Sequence, residues 1–329
     1  FIRDQRVRSG KQMRECSRAL AGAIEGERNA DMRERSFQWF QHLAATGLLA
    51  MAAASAPGAP AADTMKETER LQFADGLYSR ELFDLAIREY QGFLKDFAGT
   101  SRMDAVRFRM GESFRRQGDL AAAEKEFTAV FKDHPASEFR FKAGLKLVDL
   151  HLQGNRNEPA IEMCRTILKE KAPPEIAAAA LYSMGDTLSK VGKTDEALPA
   201  FEKIRQEYKG SEFHPYALLR LGRIYASETA PEKSEAAMKK ALELYQEVTV
   251  KTQSDRLMAE ALFNMGDLYF RMKVHDKSAD AYKRLMSQFP KDQRSGEARM
   301  QAGWAAHNAG LFADGLKIAD ESLAGFPAG

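Results

Sequence analysis

Three carboxylates stand in matched settings: Glu112 in "GESF", Asp186 in "GDTL" and Asp267 in "GDLY". Carboxylates in register suggest general acid–base work, in which one group releases a proton and another accepts it. Each of the three, however, follows a glycine and opens the same short phrase. The match therefore comes from a repeated segment, not from groups converging on one point. Segments stacked about 10 Å apart hold their carboxylates too far from one another for a catalytic pair, so the column reads as solvated helix faces. The six histidines, His42, His134, His151, His214, His275 and His307, are scattered. His134 precedes a proline and His275 falls in an inter-helix turn, so both read as surface residues. No glycine-rich phosphate loop, His-Glu-x-x-His or Gly-x-Ser-x-Gly occurs.

Cys16 and Cys164 are the only cysteines. They form no Cys-x-x-Cys and no Cys/His cluster, so structural zinc is not expected. Cys164 lies in "AIEMCRTIL", apolar at helical spacing, and reads as a core thiol. The sequence thus gives no catalytic residue, metal ligand or cofactor site.

The elements that carry these residues repeat. "MGESFRRQGDLAAAEKEFTAVFKDHP" begins at Met110 and "MGDLYFRMKVHDKSADAYKRLMSQFP" at Met265. A small residue with apolar neighbours before it and a bulky one after it recurs at Ala74, Gly111, Gly144, Gly185, Gly222, Gly266 and Gly303, at intervals of 37, 33, 41, 37, 44 and 37 residues. That period points to stacked supersecondary units. Within one unit, Leu181, Met184, Gly185 and Leu188 follow the spacing of a single helix face. "KVGKTDE" breaks the chain, and Ala197, Phe201 and Ile204 mark a second helix. Gly185 and Ala197 let the two helices cross closely. The rings of Phe127, Phe201 and Tyr282 are expected to fill the gaps between units. Pro135 and Pro290 stop their helices, because proline has no N–H to continue the ladder.

Charge narrows the function classes. The formal net charge is +2, but residues 1–61 hold nine basic against six acidic residues, which leaves 40 against 41 in the remainder. A nearly neutral body gives no reason to expect nucleic acid. From Met32, a charged stretch, an apolar run ("HLAATGLLAMAAASA") and the small-residue site Ala59-Pro60-Ala61 follow in the order of a secretory signal peptide. The apolar run is shorter than the ~20 residues of a membrane span. The expected organisation is therefore an upstream leader or disordered extension at 1–31, a signal peptide at 32–61 cleaved near Ala61, and a repeat domain over 62–329 that continues past the C-terminus. An uncleaved signal would be the only membrane attachment.

These residues resemble the tetratricopeptide repeat, a helix–turn–helix with small, aromatic and proline positions at fixed places. Gly111, Phe114, Ala123, Phe127 and Pro135 match its pattern. Gly266, Tyr269, Ser278, Tyr282 and Pro290 match with Ser for Ala, and Gly185, Leu188, Ala197 and Phe201 match without the proline. The unit around Leu147 reads as carrying an extra residue in "GNRNEPA". The unit around Tyr225 is stretched by "SETAPEKSEAAMKKALELYQ". The last unit has Gly315 where Ala is usual and no ring at Ala319. The resemblance implies an all-α, right-handed superhelical solenoid of about seven units. The unit endings and the signal look like bacterial envelope members of the family, such as the outer-membrane-assembly and Tol–Pal coordinator proteins. No lipid-anchoring cysteine follows the apolar run, and no N-terminal coiled coil precedes the repeats.

The resemblance also implies a function without bond chemistry: a cell-envelope scaffold, in the periplasm, binding extended peptides or helices of other proteins on a concave face lined by the first helix of each unit. Asp75 and Tyr78 would lie there in the first unit, Phe108, Glu112, Arg115 and Arg116 in the second, and Tyr182, Asp186 and Lys190 in the fourth. Phe263, Asp267, Phe270 and Arg271 follow, then Trp304 and His307. Rings at Phe108, Tyr182 and Phe263 also suit packing between helices. Phe270 and Arg271 are the stronger binding candidates, and Arg115 with Arg116 could grip a carboxylate through forked hydrogen bonds. The alternatives are a structural spacer or oligomerisation module, or the accessory segment of an enzyme whose catalytic domain lies beyond residue 329.

Overall fold

A computed structural model describes residues 62–228 and 231–324. The segments read from the sequence as a leader, 1–31, and a signal peptide, 32–61, lie outside the described residues. The chain divides into two units, 1–65 and 66–329, and the account that follows concerns the second. Among the described residues there are fourteen helices and no strand, and none of these helices is long and apolar enough to cross a membrane. The helices pair in sequence: α1 (Ala62–Ser79) with α2 (Phe83–Asp96), α3 (Met103–Gln117) with α4 (Leu120–Asp133), and α5 (Arg140–Gln153) with α6 (Asn157–Lys169). Then come α7 (Pro174–Lys190) with α8 (Thr194–Glu207), α9 (His214–Ala226) with α10 (Pro231–Lys251), α11 (Asp255–Arg271) with α12 (His275–Gln288), and α13 (Ser295–Asn308) with α14 (Phe312–Ala324). From α2 to α14 successive helices pack on one another, and α1 shares a buried cluster with α2, so the seven pairs form an all-α superhelical solenoid.

The local rules are visible within the pairs. In the second, fourth, fifth and sixth pairs the first helix carries a glycine at the crossing, and the second helix lays a ring on it. A Cβ on Gly111 would stand 2.8 Å from the Phe127 ring, and one on Gly185 would stand 2.8 Å from Phe201. The rings therefore fill the crossing inside a unit, not the gap between units. Between units, the Phe131 ring lies against Gly144 of the next pair, and Phe108 and Tyr182 reach rings of the pair that follows theirs. Ser278 stands where Ala is usual, and its hydroxyl, buried at the crossing, donates to the Gly266 carbonyl at 2.8 Å. Helices α4 and α12 end two residues before Pro135 and Pro290. The turns inside the pairs place Glu81, Gly118, Asn155, Gly192, Lys273 and Gly310 at positive φ.

Those turn residues correct the reading of the third pair. Asn155 lies one regular step of 37 from Gly118 and from Gly192, and α5 and α6 begin one such step after α3 and α4. The crossing position of the third pair is therefore Val148, not Gly144, and there is no extra residue in "GNRNEPA". At the ring position stands Cys164. Val148 and Cys164 are both 1% exposed in one cluster with Ala160. A larger residue on one helix and a smaller one on the other fill the same crossing volume, and this exchange hides the register from a search for glycine. Burial pushes the Cys164 thiol up to about 12. The fifth pair absorbs its insertion in α10, which is 21 residues long.

Candidate functional site

The residue just after each crossing position forms a column along the first helices: Asp75, Glu112, Asp149, Asp186, Arg223, Asp267 and Trp304. Across from it, two residues before the next crossing, a second column contributes Arg109, Lys146, Ser183, Arg220, Asn264 and Gln301. Stacking brings the two together. Arg109 pairs with Asp75, Lys146 with Glu112 at 3.4 Å, and Arg220 with Asp186 at 2.7 Å. The carboxylates expected to be solvated are thus partly buried and bridged by neighbouring units. Burial tends to raise the Glu112 carboxyl, but the hydrogen bonds and charges of Arg115 and Lys146 outweigh it and hold the group below its ordinary value.

The ladder changes character in the last three pairs. Arg223 faces Asn264 and turns to Glu260, 2.8 Å away, which also holds Arg294. Asp267 faces Gln301 and accepts a hydrogen bond from the Tyr282 hydroxyl. Burial pushes the Asp267 carboxyl above its ordinary value; the Tyr282 hydrogen bond pulls it down, and Glu297 pushes it up again. Arg271 is exposed and donates to the Ala226 carbonyl at 2.8 Å. Asp267, Arg271, Arg223 and Asn264 line one cleft of about 230 Å³ between α9, α10 and α11, with Ser227 and Tyr245. The Asn264 amide nitrogen is buried there without an acceptor. The cleft can therefore offer N–H groups to carbonyl or carboxylate oxygens. Nothing in it is arranged for proton transfer, and among the described residues no group of three or more metal-ligating side chains occurs.

The expected site residues separate into two sets. Phe108 packs between Phe127 and Phe139, with centroids 5.6 and 5.1 Å away. Tyr182 packs on Phe201, Phe213 and Tyr216, and Phe263 on Tyr282. Phe270 is half-buried against Ala279, Ala305 and Ala306 and meets the edge of His275, so it is a packing ring, and His275 is not a free surface residue. Arg115 forks onto Glu112 of its own helix, at 3.2 and 3.0 Å, so it is not free to act with the exposed Arg116 on an outside carboxylate. Tyr78 lies against Phe83, Lys190 holds Asp186 at 2.8 Å, and His307 meets Phe312. Arg116, Arg271 and Trp304 remain accessible, and Trp304 is 59% exposed. The sequence reading missed Arg223 and Asn264. Their signal is their place in the two columns, which emerges only once Val148 sets the register.

A tetratricopeptide repeat-like domain model matches residues 84–226, and tetratricopeptide repeat models match residues 215–247 and 260–292. The chain belongs to the tetratricopeptide repeat proteins. Among solved structures it is similar to PilF of Pseudomonas aeruginosa, with a TM-score of 0.51 at 14% identity over 71% of this chain and 97% of that one. The apo form of RapI matches with a TM-score of 0.51 at 12% identity over 78% of this chain and 75% of that one. Both likenesses concern the fold. No curated protein sequence matches it. As a tetratricopeptide repeat protein it is a protein–protein interaction scaffold, of a family that is generally non-enzymatic and binds other proteins or peptides.

Proposed function

We propose that this repeat protein is a periplasmic scaffold of the bacterial cell envelope that holds an extended segment of a partner protein along the first-helix face of its last three pairs. The observation that carries this reading is the change in the ladder. From Asp75 to Asp186 most rungs are closed by ion pairs within the two columns, whereas Arg223 leaves its column to pair with Glu260, Asp267 has the neutral Gln301 at the matching place, and Trp304 carries no charge. An exposed indole and an arginine are the residue types that dominate protein interfaces. The donors at Asn264 and Arg271 suit the carbonyl oxygens of an extended chain. The order of residues 32–61 supports export, and the neutral body supports a protein partner over nucleic acid. A membrane contact would come only from an uncleaved signal.

The test is affinity capture from envelope extracts with three baits: the wild-type chain, Arg271→Ala/Trp304→Ala, and Arg116→Ala. The expected result is a partner captured by the first and third baits and lost by the second. Equal capture by all three would remove the groove from the last pairs. The closed rungs of the first pairs favour a second role for that half, as a stiff spacer that sets the groove at a distance.

A further inference from the structure

The first helices carry an arginine four residues before the crossing position in three pairs, at Arg70, Arg107 and Arg299. In the first two, the arginine meets a carboxylate on the second helix of its own pair. Arg70 stands 3.7 Å from Glu89 and also holds Asp96; Arg107 stands 2.8 Å from Glu126. Glu89 and Glu126 occupy equivalent positions, just before Tyr90 and Phe127. In the seventh pair that position is Ile318, which is buried. Arg299 is half-buried and has no hydrogen bond or ion pair among the described residues, and Lys317 beside it has none. Both line a cleft of about 360 Å³ with Lys283, Asp314, Met286 and Ile318. Asp314 is held by Lys283, so among the described residues three cations share one carboxylate in this cleft.

We propose that this cleft receives an acidic side chain from a partner's peptide segment, supplying from outside the carboxylate that Glu89 and Glu126 supply from within. Arg299 presents a planar fork suited to a carboxylate, and Lys317 adds a second charge. Met286 and Ile318 offer an apolar wall for the methylene stem that carries such a carboxylate. The binding surface lies between α12, α13 and α14. It is independent of the first-helix groove, so either reading can fail without the other.

The test is fluorescence anisotropy of a labelled hexaglutamate peptide with the full chain at 150 mM salt, where attraction between distant exposed charges is largely screened. The wild type should bind saturably, and Arg299→Gln and Lys317→Gln should each weaken binding about ten-fold or more. Ile318→Glu should abolish it by pairing internally with Arg299, as Glu126 does with Arg107. If that variant misfolds by circular dichroism, the two exposed-side variants decide alone. Affinity within two-fold of wild type in both, or no wild-type binding at millimolar peptide, would overturn the proposal. Free glutarate is the second arm. Competition at the same carboxylate concentration as the peptide would make the ligand a small molecule and overturn the peptide reading; failure to compete supports it.

Discussion

One substitution made at two equivalent crossings should change stability in opposite directions. A Cβ on Gly266 would lie 2.5, 2.6 and 2.8 Å from three carbons of the Tyr282 ring, where unstrained carbons stand about 3.5–4.0 Å apart. The ring has nowhere to move: it is 1% exposed and its hydroxyl is bound to Asp267. Gly266→Ala gains about 1 kcal/mol of helix propensity and loses about 3 kcal/mol, the upper end for overpacking a tight core. The net loss is about 2 kcal/mol. At Gly303 the same Cβ would meet, among the described residues, the Ile318 Cγ2 at 3.9 Å. The last pair has Ala319 where the ring would be, so Gly303→Ala keeps the gain of about 1 kcal/mol. In urea, with a slope of about 3 kcal/mol per M, the midpoint should fall by about 0.7 M for the first variant and rise by about 0.3 M for the second. Circular dichroism reads the midpoint, and amide exchange in α11 and α12 localises the loss, because a solenoid can open pair by pair. Tyr282→Leu in the Gly266→Ala background should recover part of the loss, giving a coupling energy of about 1 kcal/mol or more. Midpoints that move in the same direction, or additive effects at Gly266 and Tyr282, would refute the ring-on-glycine account.

Two further perturbations test the turns and the ladder. Lys273 sits at φ 60°, where Gly118, Gly192 and Gly310 stand in other pairs. Left-handed backbone costs a non-glycine residue about 1–2 kcal/mol and glycine loses about 0.5–1 kcal/mol through the unfolded chain, so Lys273→Gly should raise stability by about 0.5–1 kcal/mol, measured by urea midpoint. Glu112→Gln should cost about 1–2 kcal/mol at pH 7, since it weakens charged hydrogen bonds to Arg115 and Lys146. Because the folded carboxyl is held below its ordinary value of 4.5, that stabilisation is present above 4.5 and fades as the pH falls through the lowered value. The difference between wild type and variant, followed by denaturation from pH 7 to 3, should shrink in that window.

Most of the fold was legible because its determinants are local. A small residue, a turn and a ring at fixed spacing define a helix pair without reference to distant residues, and Gly111 with Phe127 or Gly185 with Phe201 spell this out. The third pair was misread because Val148 and Cys164 exchange the usual sizes: a search for glycine slid to Gly144, and only the repeated helix starts and the turn at Asn155 restored the register. The site was less legible. Phe270 has the composition of a binding ring, yet Ala305 and Ala306 of the next pair leave room that it fills. Arg115 and Arg116 look like a matched pair, but in the fold Arg115 turns onto Glu112 while Arg116 points to solvent.

The sequence by itself determined that the chain is a stack of helix pairs, because the forces that make each pair act within about forty residues. Only the tertiary structure decided which side chains are spent and which are free. Asp186 and Asp267 follow equivalent glycines on equivalent helices, yet Asp186 is bridged by Arg220 while Asp267 faces Gln301. The physical reason is that a charge on one pair is neutralised by whatever the next pair lays against it. That partner lies a whole repeat away in sequence and a few ångströms away in the solenoid.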